Sequence, residues 1–278
     1  MSDCECHGEM SALRALECLA APDAESYVRP VTAPSVASRF FPKVVRHPWP
    51  LFAATLVLAV AGFWPSFFAK LPETPLPHHL HGWSATAWML LPLVQYALIR
   101  GRRREWHRLL GWASLSLAAV VAVSGFYVVR MMAFRSVEKF NLVSIKFVWL
   151  DLTGVALFCV LVVVAMLAAR RRDVRLHVTA LAASAFIPLE AALERLYVNY
   201  LPSMVPDFDA ALYAALMTLE ITIAAIVAME WRSGRVRWPM PTLLAYYLVM
   251  HVTATPVAKT ESFQAFSNWF ATVGRPRP

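Results

Sequence analysis

Residues 82–130 read GWSATAWMLLPLVQYALIRGRRREWHRLLGWASLSLAAVVAVSGFYVVR. Two mostly apolar runs, each close to the roughly 20 residues that span a bilayer core, flank Arg100, Arg102, Arg103, Arg104 and Arg108. A helix on a soluble core keeps its apolar residues to one stripe. These runs are apolar on most sides, so the solvent they call for is lipid.

The pattern recurs along the chain. Runs at 49–69, 82–100, 109–130, 147–169, 176–198, 210–230 and 238–258 predict an all-α, polytopic transmembrane helical bundle of seven spans. Of the 278 residues, 59% are hydrophobic and only 16% charged, against about a quarter charged in soluble domains. The formal charge of +8 is held in short clusters between the runs, which reads as topology and excludes nucleic acid as a partner. Arg39, Lys43 and Arg46 precede the first run, and Arg170, Arg171, Arg172 and Arg175 follow the fourth. Arg232, Arg235 and Arg237 follow the sixth, while the alternate connections carry fewer basic residues. The positive-inside rule then sets the N-terminus in and the C-terminus out, in a bacterial inner membrane. Trp49, Trp106, Trp112, Trp231 and Trp238 fall near the inner ends, and Trp64, Trp83 and Trp149 near the outer ends.

The predicted organisation is a cytoplasmic tail at 1–46, a membrane domain at 47–258 and an outer-face amphipathic tail at 259–278. The last follows from Phe263, Phe266, Phe270 and Val273 at helical spacing. The acidic start, Met1 to Met10, gives no cleavable signal sequence. Cys4, Cys6 and Cys18 in the tail and Cys159 in an apolar run do not form a disulfide framework. Cys4, Cys6 and His7 are soft ligands suited to Cu(I) or Zn²⁺, although chance accounts for so short a motif.

Ionisable groups at membrane depth are costly and therefore informative. At 1.5 Å per residue, Glu190 and Glu194 fall in the outer half of the fifth span, and Asp151 about one and a half turns below the outer end of the fourth. His251 falls about 20 Å above the inner surface. His78, His79 and His81 open the second span on the outer side, and Arg195 joins the same layer as a charge partner. Three functions suit this layer. His81 and His251 can ligate a b-type haem. His79, His81, Asp151, Glu190, Glu194 and His251 offer a mixed N/O shell to a transition metal. The carboxylates can instead carry protons in small-solute transport or receptor-like binding. A purely structural network is the plain alternative, with Arg195 neutralising the carboxylates.

Pro188 frees the carbonyl of Ser184 and predicts a kink near Glu190. On the inner side, His107 and His177 open the third and fifth spans beside arginines. Headgroup contacts are the first reading of that pair, and a second haem the alternative. Glu220, mid-way along the sixth span, is a link in a proton path or a partner in an interhelical hydrogen bond. Gln95 reads as such a bond. No phosphate loop, nucleophile elbow or H-E-x-x-H motif occurs.

Gly62-Phe63-Trp64-Pro65-Ser66-Phe67, His79-Leu80-His81-Gly82, Trp88, Gln95 and His107-Arg108-Leu109-Leu110-Gly111 follow one another in order. This series resembles a family of uncharacterised bacterial polytopic inner-membrane proteins with the pattern GFxPxF, HxHG, W, Q and HRxxG. The resemblance covers about residues 50–200 and implies a multi-span bundle in which His81, His107 and His177 matter. Val178 and Thr179 stand where that family carries basic residues after the later histidine. The expectation is a redox- or metal-associated membrane protein, with proton-coupled transport and assembly of a respiratory complex, through contact with its subunits, as alternatives.

Overall fold

Helix starts along the chain are set by residues that satisfy orphan amide groups. The side chains of Asn141, Asp173, Asp207 and Thr260 accept from the N–H groups of Val143, Leu176, Ala210 and Phe263, at 3.0, 3.1, 2.8 and 3.4 Å. In the computed structural model, which describes residues 49–138, 141–234 and 236–273, these caps open four of nine α-helices among the described residues. The helices are α1 Trp49–Phe63, α2 Leu76–Arg100, α3 Arg104–Glu138, α4 Leu142–Arg170, α5 Val174–Phe186, α6 Leu189–Tyr200, α7 Phe208–Arg232, α8 Pro239–Lys259 and α9 Glu261–Thr272. A 3₁₀ segment, Phe68–Glu73, joins α1 to α2. The described residues contain no strand.

Four segments are long and apolar enough to cross a membrane: Arg104–Ser136, Leu142–Arg170, Val174–Tyr200 and Phe208–Arg232. The third is α5 and α6 together. Around them large apolar side chains stand exposed, Val123 at 71%, Ile221 at 66% and Val252 at 68%, as on an integral membrane protein whose outer face meets lipid. Helix α1 is apolar but has only 15 residues. The expected run to residue 69 ends at Phe63, because Trp64 to Phe67 turn the chain at Pro65. Helix α2 starts earlier than expected, at Leu76, so its histidines lie inside its first turns.

Contacts close a ring in the order α1, α2, α3, α4, α8, α7, α6 and back to α1. Helix α5 contacts α1, α2, α4, α6 and α8, which puts it within the ring. Ala180, Ala182, Ala183, Ser184 and Ala185 are all buried there. Small side chains let helices approach closely where lipid offers no hydrophobic drive for association. At Pro188 the span breaks and continues as α6 in the ring wall. The hydroxyl of Tyr247 donates to the carbonyl of Phe186 at 3.2 Å and lies 3.4 Å from that of Ile187. The Phe186 carbonyl at the break is therefore served from α8. Ser184 sends its own hydroxyl to Leu181.

The turns after α2 and α4 are alike. Arg102 and Arg172 are in the left-handed region, with φ of 58° and 61°. The N–H groups of Arg103 and Asp173 reach back to the carbonyls of Leu98 and Ala168, both at 2.9 Å, and those of Arg102 and Arg172 to Ile99 and Ala169, both at 3.1 Å. This is the Schellman turn, with arginine where glycine is usual. Arg237 lies 3.9 Å from Asp173, so the α7–α8 connection joins the other two at one arginine-rich end. At the opposite end, Lys146, with a side chain 4% exposed, pairs with Asp209 at 2.6 Å. There too the Arg130 guanidinium donates to the Val273 carbonyl.

Helix α9 is the described part of the expected 259–278 tail. It packs against α3, with Phe270 and Ala271 buried beside Val129, Ala133 and Val148. The expected 1–46 tail, with Cys4, Cys6 and His7, lies outside the described residues.

Two glycine exchanges are expected to act in opposite directions. A Cβ on Gly62 would sit 2.3 Å from the Ala192 carbonyl oxygen, so Gly62→Ala separates α1 from α6 and costs about 1–3 kcal/mol. Arg102→Gly relieves a left-handed non-glycine residue and stabilises by up to about 1 kcal/mol. Thermal melts of the purified variants in one detergent check both signs.

Candidate functional site

The structure separates the residues that depth alone would have grouped. His81 on α2 lies 3.2 Å from Ser124 Oγ on α3. His251 on α8 instead bonds Glu220 on α7 at 2.9 Å, with the Tyr213 ring 5.3 Å away. Each therefore has its own Nδ1 partner on a different neighbouring helix. His79 gives Nε2 to the Leu71 carbonyl at 2.9 Å, which ties it to the 3₁₀ segment. Among the described residues no group of three or more His, Cys, Asp or Glu side chains is placed to hold a metal ion. The six-residue set His79, His81, Asp151, Glu190, Glu194 and His251 therefore does not converge. Counting along each helix fixes depth but leaves open which way around the bundle a residue faces.

The acidic part of that set does gather. Asp151, Glu190, Glu194 and Arg195 lie within electrostatic range of one another. Arg195 Nη1 is 3.6 Å from Glu194 Oε2 and donates to the Ala191 carbonyl at 2.7 Å, while its guanidinium covers the Phe63 ring at 4.7 Å. Glu190 is 2% exposed, and its Oε1 has no hydrogen-bond partner among the described residues. Glu220 is occupied by His251, the interhelical bond that was one of its two expected roles.

At the arginine-rich end a cavity of about 630 Å³ opens between α2, α3, α4 and α5. His107, His177, Gln95, Trp88 and Trp112 line it, with Arg108, Arg170 and Arg172. His177 Nδ1 is 2.8 Å from the Ala165 carbonyl. A carbonyl only accepts, so Nδ1 carries the proton and Nε2 keeps its lone pair. Gln95 works on His107 in the reverse sense. With its amide turned so that the nitrogen faces the His107 carbonyl at 3.3 Å, the orientation that satisfies both ends of the amide, it donates to His107 Nδ1 at 2.5 Å and its oxygen accepts from Gly111 N–H at 3.1 Å. The proton of His107 is then on Nε2. The Arg170 guanidinium lies over the Trp112 ring at 5.3 Å. The two imidazoles lie within electrostatic range of each other and are held through inward bonds, an arrangement that headgroup contact alone does not require.

At the opposite end a second cavity, of about 470 Å³, lies between α1, α2 and α3 and reaches Pro188 and Arg195. His78 and His81 line it. Ser124 has one hydroxyl hydrogen, which it can place on the Val121 carbonyl at 3.2 Å. Ser124 Oγ then accepts from His81 Nδ1–H, which again leaves Nε2 as an acceptor. The Phe67 ring fills the space beside Gly82, where a Cβ would lie 2.4 Å from it, and meets His79 edge-on at 5.9 Å. The Gly62–Phe67 and His79–Gly82 segments thus build one wall, as Gln95, His107 and Gly111 build one at the other end. Residue order hinted at these pairings, but the Tyr247 and Lys146 contacts left no signal in the sequence.

No family model matches the chain, and no curated protein and no solved structure matches it either.

Tyr247→Phe is expected to destabilise the protein by about 1–3 kcal/mol, because it strands buried carbonyls at the α5–α6 break. Hydrogen exchange of α5 and α6 amides checks it. Faster exchange in those two helices, with α2 and α3 unchanged, is the expected result.

Proposed function

We propose that this chain is a seven-span integral protein of a bacterial cytoplasmic membrane, N-terminus in, that carries one b-type haem in the cavity at its arginine-rich end. The observation behind the haem is the His177 imidazole, with Nδ1–H tied to the Ala165 carbonyl beside about 630 Å³ of open volume. Orienting Nδ1–H toward a carbonyl is how proteins present Nε2 to a metal. Arg108, Arg170 and Arg172 suit the two propionates, and Trp88 and Trp112 suit the flat faces of a macrocycle. Arg172 keeps its charge there at a conformational cost that glycine would avoid. With Gln95 donating to its Nδ1, His107 offers an N–H rather than a lone pair. His177 would then hold the iron through Nε2, and His107 would offer a hydrogen bond within the same cavity. Such an iron takes and gives one electron at a time.

The three arginine-bearing connections that meet at one end support the seven-span orientation. The family suggested by the His81, Gly82, Trp88, Gln95 and His107 series supports the same reading, because those residues build the walls of the two cavities.

Absorption spectroscopy of the purified protein, with iron analysis, tests the haem. The expected result is a Soret band of the five-coordinate, high-spin type with stoichiometric iron. His177→Ala removes it, whereas His107→Ala retains pigment with a shifted band. A colourless protein after expression with excess haem overturns the reading and leaves the acidic group around Glu190 as the better candidate for function. Equal loss in both histidine variants overturns the assignment of roles.

A further inference from the structure

The described basic residues at the end opposite the arginine turns are few, and half of them are already engaged. Lys146 is paired with Asp209, Arg130 with the Val273 carbonyl, and Arg195 with Glu194 and the Ala191 carbonyl. Lys70 and Arg135 have no ion-pair partner among the described residues, and both line the 470 Å³ cavity between α1, α2 and α3. Among the described residues Glu73 is the one carboxylate on the same wall, and the cations there outnumber it. Deeper in, the lining is apolar: Leu56, Val60, Phe63, Met89, Met131 and Met132. His78 and His81 also line the cavity, the His78 Nδ1 being buried away from the open space.

We propose that this cavity binds a single-chain amphiphile with an anionic head. Lys70 and Arg135 hold the head, and the chain lies along the methionines and Phe63. The volume is at the lower end of the ~300–1,000 Å³ range of ligand pockets, which suits one chain. A purely apolar occupant would leave both cations without a counter-charge. A cationic occupant would meet Arg135 and Lys70 at the mouth. The site is separate from the haem cavity and does not depend on it. The carboxylate of a free fatty acid and the phosphate of a lysolipid share the required chemistry.

Binding to the full-length protein in phosphatidylcholine nanodiscs tests the proposal. The probes are labelled palmitate, lysophosphatidate with one acyl chain, and hexadecanol as the uncharged match in length. At least one anionic probe is expected to bind saturably and roughly tenfold or more tighter than hexadecanol. The double variant Lys70→Gln, Arg135→Gln is expected to lose that advantage. Both positions are exposed, so its melting temperature should match that of the parent. Palmitate alone binding identifies a free fatty acid as the source, and lysophosphatidate alone a lipid phosphate; either supports the site. Equal affinity for hexadecanol, or full affinity in the double variant, overturns it. Should the double variant fail to fold, the comparison of probes on the unaltered protein still decides.

Discussion

A broken helix in a low-dielectric surrounding leaves carbonyls without their helical partners, and in this protein a tyrosine from a neighbouring helix reaches into the break. Pro188 ends α5, and Tyr247 on α8 reaches the carbonyls of Phe186 and Ile187. Lipid has no water to do this work. Because the bond is made, the lower half of the span can stay within the ring, with alanines against its neighbours. The upper half can then swing into the wall beside α1 and α7. That change of path carries Glu190, Glu194 and Arg195 to where they meet Asp151, and it leaves room near Pro188 for the cavity lined by His78 and His81.

The two ends of the bundle use the same device in different company. A backbone carbonyl fixes the tautomer of His177, and a serine hydroxyl meets Nδ1 of His81. What differs is the charge and shape around them. Three arginines and two tryptophans surround the first, and methionines with three cations the second. Chemistry at each end is thus set less by the histidine than by its neighbours.

Much of the architecture could be read from composition and charge. Apolar runs located α3, α4 and α7 closely, and Pro188 located the break. Helix α1 was over-read by several residues, because hydropathy continues through Trp64 and Phe67 whereas the backbone turns at Pro65. Of the polar groups expected at one depth, His81 and His251 have partners on different helices. Depth is one coordinate, and the rotation of each helix about its axis is another that a single sequence does not supply. The acidic group survived because Glu190 and Glu194 share one face four residues apart and Arg195 follows directly. The roles of Gln95 and Tyr247 depend on which helices neighbour theirs, information that only the fold holds.

The tight arginine turns also bear on how such a chain enters a bilayer. Residues 101–103 and 171–173 give each helix pair a compact, charged tip. Carrying one arginine through the hydrocarbon centre costs about 2.5–3.5 kcal/mol on insertion scales, and each tip with its flanks carries several. In the proposed orientation the tips stay on the side where they are synthesised, which favours entry of α2–α3 and α4–α5 as helical hairpins. On this route the wall of the arginine-rich cavity begins to assemble during translation, before α7 and α8 exist to complete the ring.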